Sequence, residues 1–328
     1  MSEPIIQVEN LSKIFQIKQK QSGFFGGIKA MWNPNYKTVK AVDNISFSVN
    51  EGELVAFIGP NGAGKSTTIK MLTGILYPTS GIISVLGFNP TLKRQQLAYH
   101  IGSVFGQKPQ LWYHLPPADT YNLFSRIYEL DQRAYKQRLD YLVEAFEIQD
   151  LLKTPVRKMS LGQRMRCEIV ASLLHRPKII FLDEPTIGLD VIAKQRIREV
   201  IKHLNETEKV TIFLTSHDAG DVEALAQRTI VINHGRILFD DSTEQFKKNY
   251  IKTKLIELVV DGSIDNFDFP QGQIVEKTKI SIKIELPIAV PIHGLLDYAM
   301  QNFQIKDINI SDPPMEEIIA DIYKVKKP

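Results

Sequence analysis

The sequence predicts an α/β protein. A parallel sheet covered by helices follows an antiparallel β layer, carries a helical insertion and is followed by a small C-terminal α+β domain. Three observations support this. Short β-rich apolar runs recur at 54–58, 100–105, 179–182, 211–215 and 229–233. Segments with apolar residues at three- and four-residue steps alternate with them, at 65–76, 161–175 and 191–205, the order of a parallel α/β core. The runs at 179–182 and 212–214 are apolar without alternation, as expected of strands covered on both faces.

In chain order, residues 5–8 and 41–49 alternate and supply the antiparallel layer. From 115 to 175 the pattern is mostly helical: Pro116 and Pro117 open it, and 118–130 and 133–146 carry the helical period. The chain returns to strand at Lys178. Near Tyr250 the composition shifts. Residues 254–260 and 279–286 alternate like strands, 292–303 has helical period, 305–310 is again a strand, and 314–323 is a short helix after Asp312 and Pro313. The expected division is a domain over 1–245, with a helical subdomain at about 108–176, and an accessory domain over 246–328.

A chain of 328 residues has room for one large domain and a smaller one. Hydrophobic residues make up 43% and charged residues 23%, the balance of a globular protein with a substantial core. The net charge is +3 and no stretch gathers five or six Lys or Arg, so nucleic acid is not expected as a partner. A single cysteine, Cys167, excludes an internal disulfide framework, fits a reducing cytosol and reads as a small buried side chain. The first ten residues lack the basic start and apolar run of a signal peptide. No stretch approaches the roughly 20 apolar residues that span a bilayer, so work at a membrane would require an attached partner.

The strongest local signal is Gly59-Pro60-Asn61-Gly62-Ala63-Gly64-Lys65-Ser66-Thr67. It satisfies G-x-x-x-x-G-K-[ST] and sits between a predicted strand and a predicted helix, as a phosphate-binding loop requires. Its glycines let backbone N–H groups turn inward around phosphates, and the helix N-terminus adds partial positive charge. Lys65 is placed to reach the β- and γ-phosphates of a nucleotide, Ser66 to ligate Mg²⁺, and Thr67 to lie beside the α-phosphate. The run 178–182 ends in two carboxylates, Asp183 and Glu184. Asp183 at the strand tip can hold Mg²⁺ through water, and Glu184 can polarise an attacking water. Phosphoryl transfer needs those two tasks and little covalent chemistry.

With these, the sequence resembles one family. Ser160-Leu161-Gly162-Gln163-Arg164 looks like the signature motif of ATP-binding-cassette (ABC) proteins, at the start of a helix. Gln107 matches the family's Q-loop, Gly188-Leu189-Asp190 its D-loop, and His217 its switch histidine. The resemblance covers roughly 5–245 and implies a P-loop NTPase fold of ABC type. It also implies roles: Phe15 stacks on adenine, Gln107 senses Mg²⁺ and the γ-phosphate, and His217 contacts the γ-phosphate and keeps Glu184 and the water in place. Two cassettes would meet head to tail, so that Ser160, Leu161, Gly162 and Gln163 complete the partner's ATP site and Asp190 lines the interface. The implied cofactors are ATP and Mg²⁺. The implied partners are a second ATPase subunit, as a homodimer, and integral-membrane permease subunits that hold the chain at the cytoplasmic face of the cell membrane.

Two features depart from the family pattern. Leu161 stands where the usual motif has its first glycine. An insertion at 16–40 carries Phe24, Phe25, Ile28, Met31, Trp32 and Tyr36 amid five lysines. It either packs on a membrane partner or headgroup surface or forms a hairpin that caps the nucleotide, and it makes Trp32 and Tyr36 alternatives to Phe15 at the adenine. Trp112, Tyr113 and Leu115 either line a groove for a permease helix or pack in the core. His100, His114, His175, His203, His234 and His293 have no metal-ligand spacing and read as structural. The segments 59–74, 104–112 and 160–166 look most like ATPases that serve ABC-2-type permeases, which implies export. A soluble regulatory ABC-type ATPase without a permease is the alternative.

Overall fold

The structure, a computed structural model, describes residues 3–18, 36–106, 109–313 and 319. The chain divides into two compact units, Met1–Thr243 and Glu244–Pro328.

The first unit is built on a six-stranded sheet of β3 (Leu54–Ile58), β5 (Ile101–Phe105), β6 (Ile179–Asp183), β7 (Thr211–Ser216), β8 (Arg228–Asn233) and β9 (Arg236–Ser242). Its order is β5-β6-β7-β3-β8-β9, parallel except for the edge strand β9. The central runs are buried throughout, and their alternate residues face two different cores. Val55, Phe57, Phe181, Phe213 and Ile230 point to one side, where they meet Ile6, Val8, Ile45 and Phe47 of a three-stranded antiparallel sheet. Phe213 contacts Phe57, Phe47 and Phe181 there, with ring centroids 5.4, 5.9 and 5.9 Å apart. Leu54, Ile180, Leu182, Ile212 and Leu214 face the helices on the other side.

The antiparallel sheet has order β2-β1-β4, from β1 (Ile6–Lys18), β2 (Tyr36–Val49) and β4 (Ser80–Val85). The β1–β2 pairing continues through Phe15↔Val39 to Lys18↔Tyr36, so the ends of the 16–40 insertion extend the ladder. Phe24, Phe25, Ile28, Met31 and Trp32 lie outside the described residues, and Tyr36 is exposed. Strand β4 escapes sequence reading because it is an edge strand interrupted by Gly81 with only two buried positions.

Helix α1 (Lys65–Leu72) follows the phosphate loop and stops four residues before the sequence pattern suggests. Thr73 caps it, and Gly74 takes a left-handed φ of 70°. After the short α2 (Arg94–Ala98), the helical segment supplies α3 (Pro117–Ile127) and α4 (Gln132–Ala145). Pro117 starts α3, where its missing N–H costs nothing. Asp131 caps α4 by accepting from Arg133 and Ala134 amides. Two 3₁₀ turns lead to α5 (Leu161–Leu173); α6 (Val191–Glu208) and the short α7 (Ala219–Leu225) complete the unit. Cys167 is buried in α5, its thiol pushed up to about 11 by burial, which leaves it protonated at neutral pH. Trp112, Tyr113 and Leu115 are exposed on the surface and do not belong to the core.

The second unit comprises α8 (Thr243–Tyr250), β10 (Thr253–Val260), β11 (Gln273–Lys277), β12 (Ser281–Pro287), α9 (Ile292–Asn302) and β13 (Ile305–Ser311). Its antiparallel sheet has order β11-β12-β10-β13. Ile256, Leu258, Ile282 and Ile284 pack against Leu295 and Ala299 of α9. The helix expected over 314–323 lies outside the described residues except at Ile319.

Candidate functional site

Strand order places the carboxyl ends of β6, β7 and β3 side by side, although the three are far apart in sequence. Open α/β sheets bind ligands at such an edge. The phosphate loop leaves β3 at Ile58 and enters α1 at Lys65. Gly64 has φ 114°, and a Cβ on it would lie 2.5 Å from the Ala41 carbonyl oxygen. A Cβ on Gly59 would lie 2.3 Å from the Ile232 carbonyl oxygen. The loop therefore requires glycine at both positions to pass between β2 and β8. A cleft at the loop is lined by Ala41, Pro60, Asn61, Gly62, Gly64, Lys65, Ser66, Thr67 and Glu184. Ala63, within the loop, is buried.

Lys65 is only 4% exposed, and its ammonium donates to the Gly59 carbonyl at 2.6 Å and the Pro60 carbonyl at 3.3 Å. It also lies 3.1 Å from Glu184 Oε1. Ser66 Oγ donates to Asp183 Oδ1 at 3.0 Å, so a hydroxyl from the loop and a carboxylate from β6 converge. Thr215 Oγ1 donates to the same Asp183 oxygen at 2.6 Å and accepts from the Glu184 amide at 3.2 Å. Glu184 takes a left-handed φ of 54°, uncommon for a non-glycine residue. Its Oε2 lies 2.7 Å from His217 Nδ1. Ser66 thus contacts Asp183, Glu184 joins Lys65 to His217, and Thr215 links the two groups. Sequence reasoning missed Thr215 and Ala41. Thr215 stands two residues before His217, but its function depends on β7 lying next to β6.

The remaining candidates lie elsewhere or outside the described residues. Phe15 is on β1, paired with Val39, with the Lys13 ammonium 5.2 Å from its ring centre. Gln107 lies outside the described residues; the preceding Gly106 amide donates to the Asp183 carbonyl at 3.0 Å.

Ser160 is the N-cap of α5 and forms a capping box with Gln163. Its Oγ accepts from the Gln163 amide at 3.2 Å, and Gln163 Oε1 accepts from the Ser160 amide at 2.9 Å. A Cβ on Gly162 would lie 2.9 Å from Ala193 Cβ, so glycine permits close approach of α5 to the start of α6. Leu161 packs on the helical core. Asp190 caps α6, accepting from the Ala193 amide at 2.9 Å. Ser160, Gly162, Gln163 and Asp190 line a second cleft, separate from the phosphate loop.

Just behind His217, Asp218 is held by the Lys194 ammonium and by Arg198, whose Nη2 is 3.2 Å from Oδ1. Burial works to raise the Asp218 pKa, but these two cations and the Gly220 amide outweigh it and hold the carboxyl below its ordinary value.

In chemical terms, the arrangement offers backbone amides and a lysine for phosphates, a hydroxyl–carboxylate pair of hard oxygen donors, and a carboxylate engaged by an imidazole. Among the described residues, no helix is long and apolar enough to cross a membrane.

The family model described as ABC transporter matches residues 42–187. The ABC transporter ATP-binding protein NatA of Bacillus subtilis (strain 168) is 34% identical over 208 residues, covering 63% of this chain and 84% of NatA. The bacitracin transport ATP-binding protein BcrA of Bacillus licheniformis is 34% identical over 213 residues, covering 65% of this chain and 68% of BcrA. Among solved structures, cbiO1 from Clostridium perfringens, part of the ABC transporter complex cbiONQ, aligns with a TM-score of 0.61 at 26% identity. That alignment covers 76% of this chain and 92% of the other. Kinship over most of NatA's length, together with a family match that spans both the phosphate loop and the strand-tip carboxylates, shows that this chain belongs to the ATP-binding, ATP-hydrolysing subunits of ABC transporters.

Proposed function

We propose that the chain hydrolyses ATP at the edge of its parallel sheet and thereby drives export through separate membrane permease subunits. The observation that carries the site assignment is the double engagement of Glu184, with Lys65 on one carboxylate oxygen at 3.1 Å and His217 on the other at 2.7 Å. That geometry supports Glu184 as the group that accepts the proton of the attacking water. His217 orients the carboxylate through Nδ1, and its Nε2 would approach the γ-phosphate. Lys65 and the loop amides of 59–67 cradle the β- and γ-phosphates as charge shifts toward the leaving ADP.

Ser66 Oγ and Asp183 Oδ1, 3.0 Å apart, are the oxygen donors that Mg²⁺ favours, and with Gln107 they would hold it. The ion would supply charge neutralisation on the phosphates. Phe15 stacks on the adenine in this reading, with Trp32 or Tyr36 as alternatives. A second copy of the chain supplies Ser160, Leu161, Gly162 and Gln163 to the nucleotide, with Asp190 at the interface. The exposed Trp112, Tyr113 and Leu115 are the surface offered to a permease helix. Export rests on the likeness of 59–74, 104–112 and 160–166 to ATPases of ABC-2-type systems, and the cytoplasmic membrane face is where such a subunit works. The division at about 245 separates this machinery from an accessory domain.

Three experiments test the proposal. Glu184→Gln is expected to retain ATP binding and lower turnover by two orders of magnitude or more, and it should accumulate a closed dimer. Rapid turnover by that variant would refute Glu184 as base. Lys65→Ala is expected to abolish tight ATP binding. Purification of the tagged chain from gently solubilised membranes should bring down multi-span proteins in stoichiometric amounts. Recovery of soluble partners alone would favour a regulatory ATPase without a permease.

A further inference from the structure

We propose that Asp221, paired with Arg198, is a positioning residue for hydrolysis. It ties the turn behind Glu184 and the strand end before His217 to the helix that Asp190 opens. The proposal rests on the reading of Glu184 and His217 as the hydrolytic pair.

Asp221 is fully buried on α7. A buried carboxylate is costly unless it is paired and hydrogen-bonded, and this one is met by donors from three segments. Thr186 Oγ1 donates to Oδ2 at 2.5 Å, and Ser216 Oγ donates to the same oxygen at 2.7 Å. Arg198 Nε, from α6, donates to Oδ1 at 2.8 Å. Thr186 stands two residues after Glu184, and Ser216 immediately precedes His217. On the other flank of His217, Asp218 is bound by Lys194 and Arg198, again from α6. The Ser216 hydroxyl also accepts from the Asp218 amide at 2.9 Å, which closes the bracket around the histidine. The guanidinium fits because residue 220 is glycine: a Cβ there would lie 2.8 Å from Arg198 Nη2.

Burial does not hold His217 in place, although the Glu184 side chain is only 14% exposed. The His217 side chain is 45% exposed, and Glu184 sits in a left-handed turn. Their 2.7 Å contact therefore depends on the backbone to either side, which is what Asp221 tethers. The same network reaches the helix whose N-cap is Asp190, with Lys194 one turn and Arg198 two turns along it. A displacement of that helix start would reach Glu184 and His217 through Arg198 and Asp221. A role confined to stability predicts loss of folded protein. A positioning role predicts loss of turnover in protein that folds and binds ATP normally.

The test uses the full-length chain, with steady-state ATPase rate, ATP affinity and thermal midpoint measured together. Asp221→Asn keeps the shape and removes the charge. It is expected to lower kcat about tenfold or more while leaving ATP Kd within about twofold. Arg198→Lys, which cannot donate to Asp221 and Asp218 in the same fork, should show the same split. Thr186→Val and Ser216→Ala leave the ion pair intact, remove one tether each, and should lower kcat by smaller factors. Placed on Glu184→Gln, Asp221→Asn should cost nothing further, because residues acting as a unit are not additive. Wild-type kcat in all four single variants would overturn the proposal. So would a kcat that falls only in step with the fraction of chain able to bind ATP, or a full additive loss on Glu184→Gln. Near-wild-type turnover by Glu184→Gln alone would instead refute the reading of the pair.

Discussion

At the first turn of α5, a leucine stands where the usual signature motif has a glycine. Leu161 is partly buried on the helical core, and its Cδ2 lies 3.2 Å from where a Cβ on Gly188 would stand. It therefore packs the helix start against the turn that leads to Asp190. The capping box does not pass through it, since Ser160 and Gln163 exchange both hydrogen bonds directly. Leu161→Gly should restore the usual glycine at a cost of about 1–3 kcal/mol, from lost apolar burial and glycine's backbone entropy. Urea unfolding should show a lower midpoint at unchanged slope. An unchanged midpoint would mean that Leu161 is not a packing residue.

The elements of the helical segment meet the sheet through His175, just beyond α5. Its ring stacks on Tyr128, the C-cap of α3, at 4.0 Å between centroids, and its Nε2 lies 3.0 Å from the Ile101 carbonyl oxygen of β5. Burial pushes the imidazole from 6.5 down to about 4, so the folded state holds it neutral where the unfolded chain is already protonated. The unfolded state binds more protons between those two values, and stability falls as pH drops through that window. The stabilisation is fully present above pH 6.5, and its loss amounts to about 2 kcal/mol by pH 5 and about 3 kcal/mol by pH 4. Comparing urea midpoints of the wild type and His175→Gln at pH 7.5 and 5 should show a shallower acid loss in the variant. Parallel losses would remove His175 from the account.

For the whole molecule, each unit has apolar clusters of its own. Among the described residues, the apolar cluster of the second unit draws on residues from Ile256 to Ile308, whereas both clusters of the first unit end before Phe239. A chain ending at Tyr250 is therefore expected to fold and to bind ATP as the full chain does. If the second unit regulates the ATPase or steadies its dimer, the shortened chain should differ in steady-state rate or in association, measured by sedimentation. Identical behaviour in both would exclude such a role.

The sequence by itself determined the chemistry and the fold class. The phosphate loop, the Asp183–Glu184 strand tip and the α/β alternation are local patterns, since backbone amides, a lysine and strand-end carboxylates have their function wherever a strand runs into a loop. The main helices and the central strands were legible for the same reason. Edge strands such as β4 and β11 were not, because half or more of their residues face solvent and carry no period of burial. Only the tertiary structure decided which segments are neighbours. The strand order brings Thr215 beside Asp183, and the packing of α6 against α7 brings Arg198 to Asp221. Such contacts join residues far apart in the chain, and no local spacing encodes them. They form because burying polar groups requires partners, and the fold determines which partners are within reach.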